Sequence, residues 1–393
     1  MAKSRYHSKG PIYIKSTSHS LVDPCYQQLL QKWTLQILIE MNGHRQFIDN
    51  DGFEHMTVVQ LLGLEEYALD FKPNTKKIVL KKLIADYKGQ EKSLESIPVD
   101  SELRTNLLLL AEKIELSSIE VKALEFWILL EITPALEDAL DTLGKLSFTG
   151  YVHILSKLLN ETEQDIKRIF SSEAILIKLG IIKADKTSKR HFDSIVEILN
   201  HTAVERLLDK VDSIDEIFVD TIKKVDGCNL TRHDYRHIEK SFNFSLDYLK
   251  SVMNDESSAG HNILVYGSSG TGKTEFAKLL TKTLGVELYE VASNDADSDT
   301  LRPRLRWKAF VTAQSLLRKK QSLILFDEIE DIFNDGGLFQ SSTADGMKAE
   351  INNTLENNSV PSIWITNDVS VMDQAFLRRF DIVLEMNVPP RSH

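Results

Sequence analysis

A glycine-rich segment between an apolar run and a helical run restricts the fold more than any other part of the sequence. The apolar run is 263–266 and the helical run extends over 275–280, so a buried strand, a glycine-rich loop and a helix follow in order. The segment fits the spacing GxxxxGK[ST] in full, which favours a phosphate site over a simple glycine turn. It consists of Gly267, Ser268, Ser269, Gly270, Thr271, Gly272, Lys273 and Thr274.

Each residue type in this glycine-rich loop (267–274) suits the binding of a nucleoside triphosphate. Gly267 and Gly272 permit backbone angles that a Cβ obstructs, so successive N–H groups and the helix N-terminus can face phosphate oxygens. Lys273 supplies a positive charge to the β and γ phosphates, and Thr274 offers its hydroxyl to Mg²⁺. The loop therefore predicts ATP and Mg²⁺ as ligands.

A second apolar run, 323–326, leads directly into Asp327 and Glu328. Four consecutive apolar residues indicate a strand buried on both faces of a parallel sheet, and ligands bind at the carboxyl ends of such strands. We expect Asp327 to hold Mg²⁺ and Glu328 to polarise the attacking water. The pair follows Lys273 by fifty-four residues, with a strand and a helix between them. This order favours a catalytic acid pair over a solvated loop start.

A third short strand, 363–365, ends in Thr366 and Asn367. An amide at this point can orient water without adding charge near an anionic triphosphate. Taken alone, Asn367 and Asp368 are more typical of a turn. Arg378 and Arg379 follow at a helix-sized distance and could reach the γ phosphate of a neighbouring subunit, although adjacent arginines are usually surface charge.

Residues from about 228 to 390 resemble the large subdomain of the AAA class of P-loop ATPases, which belongs to the AAA+ superfamily. The resemblance rests on four motifs in order: 267–274 as Walker A, 323–328 as Walker B, Asn367 as sensor 1, and 378–381 as the end of the second homology region. It implies an α/β fold with a five-stranded parallel sheet flanked by helices. It also implies a homo-oligomeric ring, often a hexamer, that hydrolyses ATP at subunit interfaces with an arginine donated in trans.

The sequence ends at 390–393, just after the last predicted strand at 382–386. Members of the family continue here into a small helical lid that carries a second sensor. We therefore expect the large subdomain without its lid.

The chain before residue 225 is predicted to be mainly helical, because leucine and isoleucine recur at helical spacing with charges between them. A charged stretch at 88–98 has no apolar rhythm and indicates a linker. We expect a helical N-terminal region at 1–95, a helical domain at 96–225 and the ATPase subdomain at 226–393.

The segment 146–190 is compatible with a winged-helix fold, because Lys186, Lys189 and Arg190 follow its helical pattern. An ordinary helical bundle with a solvated basic loop is the favoured interpretation, since acidic residues lie among these cations.

The composition restricts the class of protein further. The formal charge is −11, from 47 basic and 58 acidic residues, which argues against nucleic acid as the partner. Only two cysteines are present, as suits a reducing compartment, and no apolar stretch is long enough to cross a bilayer. We expect a cytoplasmic protein.

The function that these features favour is an ATPase that couples hydrolysis to the remodelling of a protein partner, with the helical N-terminal region choosing that partner. Two alternatives stay open. One is a nucleotide-controlled switch or scaffold with little turnover, and the other is a DNA-associated ATPase that uses residues 146–190.

Overall fold

The computed structural model describes residues 24–90, 101–198, 201–211, 213–218, 221–225, 227–253, 260–293, 302–333 and 344–388. Of the predicted linker, 88–90 belong to a helix and 91–98 lie outside these ranges, as do the final residues 390–393. In the described ranges, no helix combines the length and the apolar character that a membrane crossing needs.

The N-terminal half is mainly helical, as the apolar spacing predicts. Its helices are short to medium in length and are interrupted by one pair of short strands. The elements are α1 (Gln27–Leu35), α2 (His44–Phe47), α3 (Met56–Leu61), α4 (Glu65–Leu69), α5 (Thr75–Gln90), α6 (Glu102–Ile114), α7 (Ser118–Ile132), α8 (Pro134–Asp141), α9 (Phe148–Leu159), α10 (Glu163–Ile169), α11 (Ile175–Lys178), β1 (Ile182–Ala184), β2 (Val196–Ile198), α12 (His201–Leu208) and α13 (Ile214–Ile217).

The described chain divides into two compact units, and neither follows one continuous stretch of sequence. The first unit contains the described parts of Met1–Arg104, Glu125–Ile154 and Thr187–Ile195. The second contains those of Thr105–Leu124, Leu155–Lys186 and Val196–His393. The domain boundaries at 95 and 225 stay a prediction.

A buried polar network lies in the core of the first unit. The hydroxyl of Tyr26 donates to Glu125 Oε1 (2.8 Å), and Arg104 donates to Glu125 Oε2 (2.6 Å). Burial raises the pKa of Glu125, while the hydrogen bond from Tyr26 and the charge of Arg104 act to lower it. Because a buried carboxylate without partners is destabilising, these bonds stabilise the joint packing of the segments that carry the three residues.

In the second unit, helices α10 and α11 precede an antiparallel pair formed by β1 and β2. The register pairs Ile182 with Ile198 and Ala184 with Val196. Lys186, one of the cations of the predicted basic loop, donates to the carbonyl of Phe170 (2.6 Å). The order of helices followed by a hairpin is compatible with a winged-helix fold, but the Lys186 ammonium is already engaged within the chain.

Six strands form one sheet within the described residues, also in the second unit. The strands are β3 (Ile222–Val225), β4 (Asn262–Tyr266), β5 (Glu287–Val291), β6 (Ser322–Phe326), β7 (Ser362–Thr366) and β8 (Ile382–Glu385). Their order in the sheet is β3-β5-β6-β7-β4-β8, and all neighbours are parallel except β3 and β5. The five parallel strands confirm the predicted fold class, and the antiparallel edge strand β3 is an addition to it.

The parallel strands consist of consecutive apolar residues because helices cover both faces of the sheet and bury the side chains on each face. Every residue of β6 and β7 is buried. Trp364 of β7 packs among aromatic rings, with ring centroids 4.6 Å from Phe310 and 5.2 Å from Phe326. The surrounding helices are α14 (Glu239–Met253), α15 (Lys273–Leu284), α16 (Pro303–Leu317), α17 (Glu330–Phe333), α18 (Ala344–Asn357) and α19 (Gln374–Leu377).

The strand order determines which loops meet. Strand β4 lies between β7 and β8, and β7 lies beside β6. The glycine-rich loop after β4, the acid pair after β6 and the amide after β7 therefore leave the same edge of the sheet, since the three strands run parallel.

Candidate nucleotide-binding site

The glycine-rich loop has the backbone angles that the sequence predicts. Gly267, Gly270 and Gly272 have φ values of 147°, 80° and 89°. A Cβ on Gly267 would lie 2.2 Å from the carbonyl oxygen of Met386, at the end of β8. Glycine is therefore required at 267 both by its angles and by the close approach of another backbone.

A hydrogen bond within the glycine-rich loop stabilises its turn. The hydroxyl of Thr271, which is buried, donates to the carbonyl of Ser268 (2.9 Å), while Ser268, Ser269 and Gly270 are exposed. A cavity of about 270 Å³ lies beside the loop; it is lined by residues 266–268, 367–369 and 385–388. The exposed part of the loop is thus the part that an incoming phosphate can contact.

Lys273 is the first residue of α15, and only 6% of it is exposed. Its ammonium donates to the carbonyls of Gly267 (2.7 Å) and Ser268 (3.0 Å), and to Asn367 Oδ1 (2.9 Å). Two residues from separate motifs, ninety-four positions apart, are thus bonded directly. The structure brings the predicted phosphate lysine and the predicted sensor amide into one cluster.

The charge of Lys273 is balanced by acids around it. Burial lowers the pKa of Lys273, and the carboxylates of Asp327 and Glu330 act in the opposite direction. A phosphate group next to this ammonium would favour its charged form in the same way as these carboxylates do.

Thr274 and Asp327 lie together, as a shared metal site requires. The hydroxyl of Thr274 donates to Asp327 Oδ2 (2.8 Å). Hard oxygen donors suit Mg²⁺, which in nucleotide sites takes one or two protein oxygens and fills its other positions with phosphate oxygens and water. The donor set of this pair therefore fits the ion that the sequence predicts.

Glu328 has a backbone conformation that is unusual for a side chain with a Cβ. Its φ is 52°, in the left-handed region, and its N–H donates to Asp327 Oδ1 (2.8 Å). Its side chain is exposed, and none of the described residues hydrogen-bonds to its carboxylate. The carboxylate is thus available to a water molecule at the edge of the sheet.

Glu330 is part of the site although the sequence analysis did not single it out. It accepts a hydrogen bond from the N–H of Asn367, and the N–H of Ile329 donates to the carbonyl of Ile365 (3.2 Å). The turn after β6 is thereby attached to the end of β7. No local pattern in the run DEIED (327–331) marks Glu330, because its role comes from a contact with a residue thirty-seven positions away.

The two adjacent arginines differ in their surroundings. Arg379 donates to Glu356 Oε1 (2.7 Å) and to the carbonyl of Ala375. Arg378 is exposed, and its guanidinium has no hydrogen bond or ion pair to any of the described residues. Of the two, Arg378 has the guanidinium that is more available to another molecule.

Two further residues that the sequence analysis missed support the loop and the acid pair. Tyr235, in the 3₁₀ turn Arg232–Ile238, donates its hydroxyl to the carbonyl of Gly272 (2.8 Å). Arg306 of α16 donates to the backbone carbonyls of Asp327 and Glu328. Neither has a sequence signal, because each acts through a contact that only the folded chain creates.

The part of the chain that contains the glycine-rich loop and the acid pair matches a family model. Residues 263–388 match the model of the ATPase family associated with various cellular activities (AAA). The match begins in β4 and ends after β8, so it contains the loop, the acid pair, the amide and both arginines.

Curated relatives match over about a third of the chain. A 26S proteasome regulatory subunit homolog from Methanothermobacter marburgensis is 29% identical over 137 residues, which are 33% of this chain and 36% of the relative. The ATP-dependent zinc metalloprotease FtsH from Lachnoclostridium phytofermentans is 29% identical over 140 residues, 32% of this chain and 23% of the relative. The chain thus spans about a third or less of the length of these relatives.

Two solved structures show a partial likeness. The E. coli MS115-1 HORMA:CdnC:Trip13 complex contains a chain with 14% identity and a TM-score of 0.31; the likeness covers 43% of this chain and 69% of that one. C. elegans PCH-2 has 17% identity and a TM-score of 0.30, over 43% of this chain and 49% of that one.

Proposed function

Because residues 263–388 form an AAA domain, we propose that the protein binds MgATP and hydrolyses it, using the residues gathered at the carboxyl edge of the sheet. One observation carries this proposal. The Lys273 ammonium bonds Asn367 Oδ1, and the Thr274 hydroxyl, on the next residue, bonds Asp327 Oδ2. The residues assigned to the phosphate, the water and the metal therefore lie next to one another.

The glycine-rich loop would bind the phosphates. Its N–H groups and the N-terminus of α15, a helix of twelve residues, favour negative charge. Lys273 adds a fixed positive charge at the terminal phosphates. Thr274 and Asp327 would hold Mg²⁺, and the ion would neutralise the charge that develops on the phosphate oxygens.

Glu328 would act as the general base. Its carboxylate accepts a proton from a water molecule while that water's oxygen bonds to the γ phosphorus and the bond from this phosphorus to the β–γ bridging oxygen breaks. ADP and inorganic phosphate leave, and Glu328 then releases the proton to solvent. The Asn367 amide would orient the water without adding a charge.

We assign the cation supplied from a neighbouring subunit to the adjacent arginines. Arg378 is exposed and has no such partner among the described residues, while Arg379 is already paired with Glu356, so we favour Arg378. This assignment requires a homo-oligomer with head-to-tail contacts, and a closed ring such as a hexamer meets that requirement.

A protein is the partner that we propose for the hydrolysis cycle, in the reducing environment of the cytoplasm. The support is the kind of relative that the chain matches, a proteasome regulatory subunit homolog and an ATP-dependent protease. The helical N-terminal region would choose this partner. A DNA-associated role is the weaker proposal, because Lys186 already bonds Phe170 and the chain carries a net charge of −11.

Steady-state ATP hydrolysis, measured against protein concentration, tests the proposal. Glu328→Gln should lower turnover by about 10² to 10⁴-fold and leave MgATP binding in place, since a positioned base contributes that much to rate. Glu239→Gln, at an exposed position of α14, is the control. Unchanged turnover in Glu328→Gln contradicts the assigned base. If the wild-type protein itself binds MgATP tightly but does not hydrolyse it, the nucleotide-controlled switch is favoured instead.

A further inference from the structure

Arg306 is a buried cation next to the acid pair. It lies on α16, and only 3% of it is exposed. One terminal nitrogen donates to the carbonyl of Glu328 (2.9 Å) and to Asp331 Oδ1 (2.7 Å), and the other donates to the carbonyl of Asp327 (2.5 Å). Its Cζ lies 5.2 Å from the ring centroid of Phe326. The guanidinium is thus fixed by three acceptors and an aromatic ring.

These contacts determine the conformation of Glu328. The carbonyls of Asp327 and Glu328 belong to the two peptide groups on either side of the Glu328 Cα. Each peptide group is planar, so its carbonyl direction sets one of the two soft dihedral angles of the residue between them. A single rigid guanidinium that binds both carbonyls therefore fixes both φ and ψ of Glu328.

The conformation that is fixed in this way is an unfavourable one. The φ of 52° costs about 1 kcal/mol or more for a residue that carries a Cβ. Without an external constraint the Glu328 backbone would relax and the direction of its side chain would change. Asp331 supplies the charge that keeps the buried guanidinium in place.

We propose that Arg306 is a positioning residue for ATP hydrolysis: it holds the two peptide groups beside Glu328 in their left-handed arrangement and so aims the carboxylate at the attacking water. This inference rests on the proposed function. It names a second requirement of the same site, contributed by a helix outside the four motifs. Lysine cannot replace this arginine fully, because an ammonium lacks the planar fork that reaches both carbonyls at once.

The test compares Arg306→Lys, Arg306→Gln and Asp331→Asn with wild type. Asp331→Asn keeps the arginine and is the variant that folds if the buried substitutions do not. Arg304→Lys, at an exposed arginine of the same helix, is the matched control. The measurements are kcat and KM for ATP, MgATP affinity by calorimetry, thermal unfolding, and kcat of Arg306→Lys combined with Glu328→Gln.

We expect Arg306→Gln to lower kcat by about 10- to 100-fold, as a misplacement of about 1 Å can. Arg306→Lys and Asp331→Asn should lose less, and MgATP affinity should change by less than about threefold, because the loop and Thr274 are untouched. In the Glu328→Gln background, Arg306→Lys should cause no further loss, since both changes act on one group.

Three results would overturn the inference. Wild-type kcat in the Arg306 variants excludes a positioning role, and so does an additive loss in the Glu328→Gln background. A fall in kcat with an equal loss of MgATP affinity and folding shows a purely structural role. If wild type binds MgATP but does not hydrolyse it, the proposed function fails and this inference fails with it. That outcome is distinguishable from the other three because it is seen in the wild-type protein.

Discussion

The side-chain nitrogen of Lys273 lies 2.9 Å from the amide oxygen of Asn367, so the lysine that would bind phosphate and the amide that would orient water form a direct hydrogen bond. The same nitrogen bonds two loop carbonyls, of Gly267 and Ser268. An incoming phosphate must compete for this nitrogen. Nucleotide binding would then release the Asn367 oxygen for a second partner.

Replacing Lys273 with alanine should abolish tight MgATP binding. We expect a loss of at least about 100-fold, because each charge-assisted hydrogen bond contributes about 1.5 to 3 kcal/mol and the lysine can form more than one. Isothermal calorimetry measures the affinity. Lys282→Ala, an exposed lysine of the same helix, is the control. Equal affinities of Lys273→Ala and wild type would refute the loop assignment.

Gly267→Ala should destabilise the six-stranded sheet and, under the proposed function, weaken nucleotide binding. The added Cβ meets the Met386 carbonyl at 2.2 Å, and this contact can be relieved only by moving the end of β8. We expect a loss of roughly 1 to 3 kcal/mol in the free energy of unfolding, measured by urea titration. Gly89→Ala is the control: a Cβ at this position of α5 would meet no neighbour within 4 Å, and the change should gain up to about 0.5 to 1 kcal/mol. A wild-type midpoint for Gly267→Ala contradicts the argument.

Mixing of subunits tests the arginine pair. Arg378→Ala and Glu328→Gln should each be nearly inactive alone, and a one-to-one mixture should regain about a quarter of wild-type turnover by random placement around a closed ring. Arg379→Ala should lose less, because its guanidinium is already bound to Glu356.

The control for this mixing experiment is a chain that carries both changes, Arg378→Ala and Glu328→Gln. It should give no rescue when mixed with Arg378→Ala. Rescue by this double variant, or none by Glu328→Gln, means that Arg378 does not act between subunits.

An ion cluster at the edge strand predicts a pH dependence of stability. Hydrogen bonds from Lys224 of β3 and from Lys320 lower the pKa of Glu287 to about 2, from an ordinary value of 4.5. A lowered carboxyl pKa stabilises the fold above the unfolded-state pKa, and that contribution disappears as the pH falls through the folded-state pKa. Glu287→Gln should therefore be less stable than wild type at pH 7, by about 0.2 to 1 kcal/mol since the cluster is partly exposed.

Urea unfolding at several pH values measures this difference. It should be constant from pH 7 to about pH 5 and shrink as the pH approaches 2. Glu385→Gln, at an exposed position of β8, is the control. A difference that grows as the pH falls would show that the sign is wrong.

The parallel strands and their loops were predictable because they are local patterns. The run 323–326 is buried on both faces and must be apolar along its whole length, and the glycine-rich loop needs glycine for its backbone angles. Each of these requirements is met by a segment of at most eight consecutive residues, so each is visible as a local pattern in the sequence.

The residues that were missed depend on contacts between distant positions. Strand β3 has four residues, two of them lysine, and it pairs with β5 more than sixty positions away. Arg306 is one of four cations at alternate positions, 302 to 308, and no local rule tells which of them becomes buried. The packing of α16 against the sheet determines that Arg306 is the buried cation.

Under the proposed function, the left-handed backbone of Glu328 opposes stability to activity at a single position. Glycine or asparagine would adopt this conformation at lower cost, by about 1 kcal/mol for glycine. A library selected only for resistance to heat should therefore enrich glycine at position 328 and lose turnover at the same step. Selection for catalysis has to retain a residue that the fold itself disfavours.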